Sequence, residues 1–157
     1  MKVTTGDLIK LALEGQFDVI VHGCNCQCVM GAGIAKTIKQ TFPEAYKADL
    51  ATTKGSREKL GSMSTATVTR GGRQITIVNG YTQFHWRGPG VVVDYDAVRA
   101  VMAEVKARFG GCRLGYPKIG AGLAKGDWGL VAQIIDTELA GEDHTLVEFA
   151  GESTLRG

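Results

Sequence analysis

Phe17-Asp-Val-Ile-Val-His22-Gly-Cys-Asn25-Cys-Gln-Cys-Val-Met-Gly31-Ala-Gly33-Ile-Ala35 is the stretch from which the fold is read. Residues 17–21 are β-branched and nearly continuous in apolarity, the pattern of a strand covered on both faces. A short polar turn follows, then two glycines, then a segment with helical character from about Gly33 to Thr41 that Pro43 halts. Strand, glycine turn and helix start in that order place main-chain amides where a helix begins, and such amides favour negative charge.

The same grammar recurs much later. Residues 113–119 lead into Gly120-Ala121-Gly122-Leu123-Ala124-Lys125-Gly126, and a helix follows over 127–139. One glycine loop is a weak signal, because a plain helix-entry turn also uses glycine. Two of them, each at the carboxyl end of a strand, predict one cleft that grips a diphosphate from both sides.

Between and around these loops the chain alternates. Residues 1–4 read as an edge strand and 7–14 as a short helix ended by Gly15. Pro43 opens a helix through Leu50, residues 54–61 read as a polar loop, and 65–70 and 74–79 form a hairpin across Gly71-Gly72. Residues 82–90 are an aromatic, glycine-rich loop. Val98, Val101, Met102, Val105 and Phe109 recur at helical spacing within 95–109, and 145–150 is the last strand. Alternation of this kind predicts an α/β fold: a mainly parallel, mixed central sheet with helices on both faces. Length and pattern predict one domain over 1–150 and a polar tail over 151–157.

Composition narrows the function classes. A net charge of +2 on 157 residues lacks the basic excess that by itself argues for nucleic acid. No apolar run approaches the roughly 18 residues of a membrane span, so no membrane partner and a cytoplasmic setting are expected. The alternating Cys24, Cys26 and Cys28 lack the spacing of a zinc site and leave only Cys112, so reduced, partly buried thiols are expected rather than a metal. Neither loop makes the Gly-x-Gly-x-x-Gly fingerprint with a following acidic residue, which disfavours a dinucleotide oxidoreductase.

Three ordered motifs resemble the macrodomain family. Val21-His22-Gly-Cys-Asn25 before Gly31-Ala32-Gly33-Ile34-Ala35 resembles its strand and first glycine loop. Ile119-Gly-Ala-Gly-Leu-Ala-Lys-Gly126 resembles its second, phosphate-facing loop, and Gly6-Asp7-Leu8 is similar to an early Gly-Asp-Ile element. The resemblance implies a three-layer α/β/α macrodomain-like sandwich that binds ADP-ribose or an ADP-ribosyl derivative without a cofactor. It implies Asp7 and Leu8 at adenine, with Phe149 at the position of an aromatic that stacks on it. It further implies Gly31, Ala32, Gly33 and Ile34 on the diphosphate with Gly120, Ala121, Gly122, Leu123 and Ala124, and Asn25 at the distal ribose. By residue type alone Asn25 is equally a turn residue bonding its own backbone, and Phe149 equally a core phenylalanine.

Histidine in place of the signature's first asparagine is similar to a branch of yeast-type ADP-ribose 1''-phosphate phosphatases. That branch also holds terminal ADP-ribose protein glycohydrolases and DNA ADP-ribosyl glycohydrolases. It implies a hydrolase acting at the distal ribose, with an ADP-ribose 1''-phosphate phosphatase as the first expectation. A glycohydrolase acting on ADP-ribosylated protein or nucleic acid, or a non-catalytic reader, is the alternative. Histidine titrates near neutral pH, so His22 at a strand tip is a candidate base or nucleophile. Asp127 is a candidate acid paired with it, although Asp before an apolar-periodic helix is also a good N-cap. The chain departs from the glycohydrolases in two places. No lysine lies in 79–87, and Ala124 stands where their aspartate falls. Tyr81, Gln83, His85, Trp86 and Arg87 are candidates to close over the distal ribose.

Overall fold

Val19–Asn25 is a strand whose two faces both meet apolar layers, as its uninterrupted hydrophobic run requires. The computed structural model describes residues 1–122 and 124–149. In chain order the elements are β1 (Lys2–Thr5), α1 (Leu8–Leu13), β2 (Val19–Asn25), α2 (Gly33–Thr41), α3 (Pro43–Leu50), β3 (Met63–Arg70), β4 (Arg73–Gln83), α4 (Tyr95–Phe109), β5 (Leu114–Tyr116), α5 (Trp128–Glu138) and β6 (His144–Glu148). The six strands form one sheet in the order β1-β6-β5-β2-β4-β3, parallel throughout except for the β3–β4 hairpin. This is the mixed, mainly parallel α/β/α sandwich read from the sequence.

Period-2 alternation sorts the strands' side chains into two cores. Ile20, Ile75, Ile77 and Val147 face α1, α2 and α3, together with Leu8, Ile38 and Phe42. Val19, Val21, Val78, Leu114 and Leu146 face α4 and α5, together with Val101, Met102 and Ile135. No helix among the described residues is long and apolar enough to cross a membrane.

Several boundaries move for physical reasons. Gly71 and Gly72 both have positive φ, 57° and 77°, the pair of left-handed residues that a two-residue hairpin of this twist demands. β4 runs on to Gln83, past the expected Asn79, because β2 pairs with it to its end, Asn25 lying opposite Gln83, with β3 alongside as far as Gly80. Tyr81 and Thr82 are therefore strand residues rather than loop. The polar stretch 54–61 holds one turn of 3₁₀ helix at Arg57–Lys59, started by Ser56 Oγ accepting from the Glu58 amide. The expected end of the last strand at Ala150, the tail 151–157 and Leu123 lie outside the described residues.

Candidate functional site

Parallel strands end at one edge of a sheet, and here that edge collects the predicted binding residues in a fixed order. Following the strand order from one side, the chain leaving β1 carries Asp7 and that leaving β6 carries Phe149. The chain leaving β5 carries the second glycine loop, and that leaving β2 carries the first. Gly6 N–H donates to the Glu148 carbonyl at 2.8 Å, which sets Asp7 beside Phe149. Ile119 packs against Gly23, where a Cβ would lie 3.1 Å from its Cγ2, so the second loop starts directly over the end of β2.

The first loop is open. Gly31, Ala32 and Gly33 are exposed, Ala32 precedes α2 with no side-chain cap, and Gly33 takes φ 57°. Among the described residues the amides of Gly31, Ala32, Gly33, Ile34 and Ala35 have no main-chain partner. Unpartnered amides at a helix start are an anion site in form and charge. The second loop is held more tightly. Gly126 N–H donates to the Gly120 carbonyl at 2.6 Å, and Val92 N–H to the Ala124 carbonyl at 2.9 Å. The Gly120 and Gly122 amides have no main-chain partner among the described residues, and Ala121 N–H makes a long bond of 3.3 Å to Lys118. Leu123, assigned to this loop, is outside the described residues, and Ala124 is buried beneath it.

At the β1 end, Asp7 is exposed and caps α1. Its Oδ1 accepts from the amides of Ile9 at 3.0 Å and Lys10 at 3.1 Å, and Oδ2 has no partner among the described residues, while Leu8 is buried in the core below. Phe149 is 57% exposed, so it is a surface ring and not a core phenylalanine.

Asn25 takes the turn role. Its Nδ2 donates to the Val29 carbonyl at 2.8 Å and its Oδ1 accepts from the Gln27 amide at 2.9 Å, so the side chain shapes the approach to the first loop.

His22 stands differently from the proton-transfer role its position suggests. It is 1% exposed and lies on the α3 side of β2, with Nε2 2.7 Å from Asn79 Oδ1 and Cys24 Sγ 3.5 Å from Nε2. Both Nδ2 protons of Asn79 are committed, to the Ala45 carbonyl at 2.9 Å and Ser64 Oγ at 3.0 Å. Asn79 therefore presents its oxygen, and His22 must carry its proton on Nε2. Burial drives the His22 pKa down to about 4, opposed by the Asn79 hydrogen bond. A sealed, neutral ring cannot meet a substrate on the sheet edge.

Asp127 is exposed and caps α5 through Oδ1, 3.3 Å from the Leu130 amide, while its own N–H donates to the Tyr95 hydroxyl at 3.0 Å. It shares no partner with His22, so the expected acid–base pair is not assembled. Tyr81 also leaves the predicted set: it is buried, and its hydroxyl donates to Asp49 Oδ1 at 2.7 Å. Gln83 at the end of β4 and His85, Trp86 and Arg87 beyond it stay near the surface, where the His85 and Trp86 rings lie 3.8 Å apart and tilted by 32°.

Sequence reasoning missed a buried polar relay behind the cleft. His22, Asn79, Ser64, Tyr81 and Asp49 are linked in series, with Ser64 Oγ 2.7 Å from the Tyr81 hydroxyl. Burial pushes the Asp49 carboxyl up, against the Tyr81 hydrogen bond and the Lys59 charge, which pull it down. Asp49 and Lys59 sit in segments whose composition reads as surface helix and loop, so no local signal marks them.

Two cavities lie off the glycine loops. One of about 520 Å³ is at the opposite, amino edge, lined by Phe17, Asp18, Arg73 and Arg113. The other, about 570 Å³, lies beyond β4 between Arg57, Phe84 and Tyr95. Among the described residues neither cavity is lined by a glycine-loop residue, whereas the unpartnered amides of the two loops have the form of an anion site.

Comparison with known proteins bears on the family and the fold. The Macro domain family model matches residues 21–135. A phage T4 protein, "Uncharacterized 17.5 kDa protein in tk-vs intergenic region", is 37% identical over 143 residues, spanning 87% of this chain and 88% of that one. The DNA ADP-ribosyl glycohydrolase of Mycobacterium tuberculosis is 29% identical over 129 residues, which cover 82% of this chain but 36% of that protein. Among solved structures, the macrodomain of Mycobacterium tuberculosis DarG superposes with a TM-score of 0.73 at 24% identity, covering 94% of this chain and 95% of that one. Thermosipho africanus DarTG in complex with ADP-ribose gives 0.72 at 16% identity, covering 95% and 41%. These likenesses are of fold. With the family model spanning most of the chain, the protein belongs to the Macro domain family.

Proposed function

We propose that the chain binds ADP-ribose along the carboxyl edge of its sheet and hydrolyses the link between the distal ribose and a nucleic-acid carrier. The observation behind this reading is the pair of loops with unpartnered amides leaving adjacent parallel strands β2 and β5. Asp7 and Phe149 stand together at one end of that edge, for adenine, which sends the diphosphate toward the loops and the distal ribose toward the first loop and Asn25. Nucleic acid is chosen as carrier because a relative covering most of this chain is a DNA ADP-ribosyl glycohydrolase.

The phosphatase, the first expectation from the sequence, drew on His22 as base and on the absent lysine, and the burial of His22 withdraws the first of these supports. Asp127 Oδ2, next to the second loop, has no partner among the described residues, and we assign it to orienting the attacking water. A reader without turnover is the second reading. It is favoured by the lack of lysine in 79–87 and by the cap that occupies Asp127 Oδ1.

Calorimetry with ADP-ribose, followed by turnover of ADP-ribosylated DNA, ADP-ribosylated protein and ADP-ribose 1''-phosphate, tests the scheme. Release from DNA, abolished in Asp127→Ala while ADP-ribose affinity persists, is the expected result. Phosphate release as the fastest reaction restores the phosphatase, binding without turnover makes the chain a reader, and no uptake of ADP-ribose overturns the reading entirely.

A further inference from the structure

The third cysteine at the end of β2 lies at a junction that the cleft chemistry does not use. Cys28 closes the turn 25–29 in the left-handed region, φ 56°, which a side-chain-bearing residue rarely adopts unless its surroundings hold it. The hold is polar. Cys28 Sγ lies 3.3 Å from the Asp49 carbonyl, 3.6 Å from Thr52 Oγ1 and 3.6 Å from Lys59 Nζ.

Lys59 is itself buried, and no carboxylate among the described residues is within ion-pair distance of it. Its Nζ donates to the Cys26 carbonyl at 3.3 Å and lies 4.4 Å from the centre of the Tyr81 ring. Asp49 is 1% exposed, and its Oδ2 has no partner among the described residues. A thiol and an amine thus meet 3.6 Å apart at the backbone of a residue whose carboxylate is only half satisfied among the described residues. Cys28 is 7% exposed, against 4% for Cys24 and none for Cys26.

We propose that Cys28 and Lys59 form an oxidant-driven sulfur–nitrogen crosslink that disables the first glycine loop. Hydrogen peroxide is the oxidant. The Cys28 sulfur attacks one peroxide oxygen, giving a sulfenic acid and water, so that sulfur is oxidised and peroxide reduced. The Lys59 amine, after losing its ammonium proton to solvent, then attacks that sulfur. The S–O bond breaks as the S–N bond forms, and the departing hydroxide leaves as water with the amine's second proton. One thiol attacks the sulfur, releasing the Lys59 amine and leaving Cys28 in a mixed disulfide. A second thiol then attacks that disulfide, returning the Cys28 thiol and carrying the oxidising equivalents away as a disulfide.

A covalent S–N bond is far shorter than the present 3.6 Å, so Sγ must leave the Asp49 carbonyl and pull the turn with it. Asn25 bonds the carbonyl of Val29, the next residue, and the loop glycines begin two positions later. The effect on ligand rests on the reading that this loop binds ADP-ribose.

Peroxide treatment of the full chain, tryptic mass spectrometry and ADP-ribose calorimetry test it together. The expected product joins peptides 11–36 and 58–70, two hydrogens lighter than their sum, and dithiothreitol reverses it. Affinity for ADP-ribose falls at least tenfold on oxidation and recovers on reduction. Cys28→Ser and Lys59→Arg bind like the reduced wild type and ignore peroxide. Absence of the linked peptide, a Cys26–Cys28 disulfide in its place, or a linked chain with unchanged affinity overturns the proposal. A reduced chain that takes up no ADP-ribose fails the functional reading instead, and the linked peptide still decides the crosslink.

Discussion

Nε2 of His22 donates to Oδ1 of Asn79 across 2.7 Å, with both residues sealed from solvent. The bond ties β2 to β4, and Asn79 passes the tie on to α3 through the Ala45 carbonyl. A histidine at the strand tip thereby serves the geometry of the edge rather than its proton chemistry.

Stability should fall on acidification through this residue. Burial lowers the folded-state pKa of His22 to about 4, below its ordinary value of 6.5. Above pH 6.5 both states are neutral and stability is complete. Between pH 6.5 and about 4 only the unfolded chain takes the proton, which costs on the order of 3 kcal/mol. Urea unfolding at pH 7, 6, 5 and 4 should show this slope reduced in His22→Gln. A remaining slope is expected from His144, whose pKa burial also lowers. Identical slopes in the two proteins would remove His22 from the account.

Asp7 should separate into a structural oxygen and a ligand oxygen. Oδ1 caps α1, so Asp7→Ala should cost about 1 kcal/mol in thermal or chemical melts. Asp7→Asn keeps the cap, yet turns an NH₂ group toward the place assigned to the adenine amino group. Its melting temperature should match wild type while ADP-ribose affinity drops several-fold. An unchanged affinity would take Asp7 out of the adenine site.

The two glycine loops should respond differently to the same substitution. Gly120 has φ 74°, and a Cβ there would stand 2.7 Å from Val93 Cγ2. Gly120→Ala should therefore cost about 2–4 kcal/mol. Gly33 has φ 57° with nothing within 4 Å, so Gly33→Ala should cost only the left-handed penalty, about 1 kcal/mol. Both should weaken ADP-ribose binding in calorimetry. Equal destabilisation would mean the second loop yields more easily than its packing implies.

Phe149→Ala should leave stability within about 0.5 kcal/mol of wild type, because the ring is mostly exposed. It should lower ADP-ribose affinity about tenfold if the ring stacks on adenine. Phe149→Trp should keep or raise affinity, and tight binding by the alanine variant would exclude the stack.

Much of the fold was legible because its signals are local. The apolar run before His22, the Gly71-Gly72 hairpin and the Pro43 helix start each set a backbone conformation within a few residues. Parallel strands ending together then put Asp7, Phe149 and the loops along one edge. The end of β4 was not legible, since pairing with β3 stops at Gly80 and β2 carries the strand on to Gln83.

Sequence alone determined the α/β layering and the two glycine turns, since periodicity and glycine's backbone freedom act at short range. Tertiary structure alone decided what His22, Asn25, Tyr81, Asp49 and Lys59 do. Their roles depend on which partner the sheet brings within hydrogen-bond reach and on how much water remains there. Those are properties of residues far apart in the chain, and His22 reads the same at an open strand tip as at a sealed one.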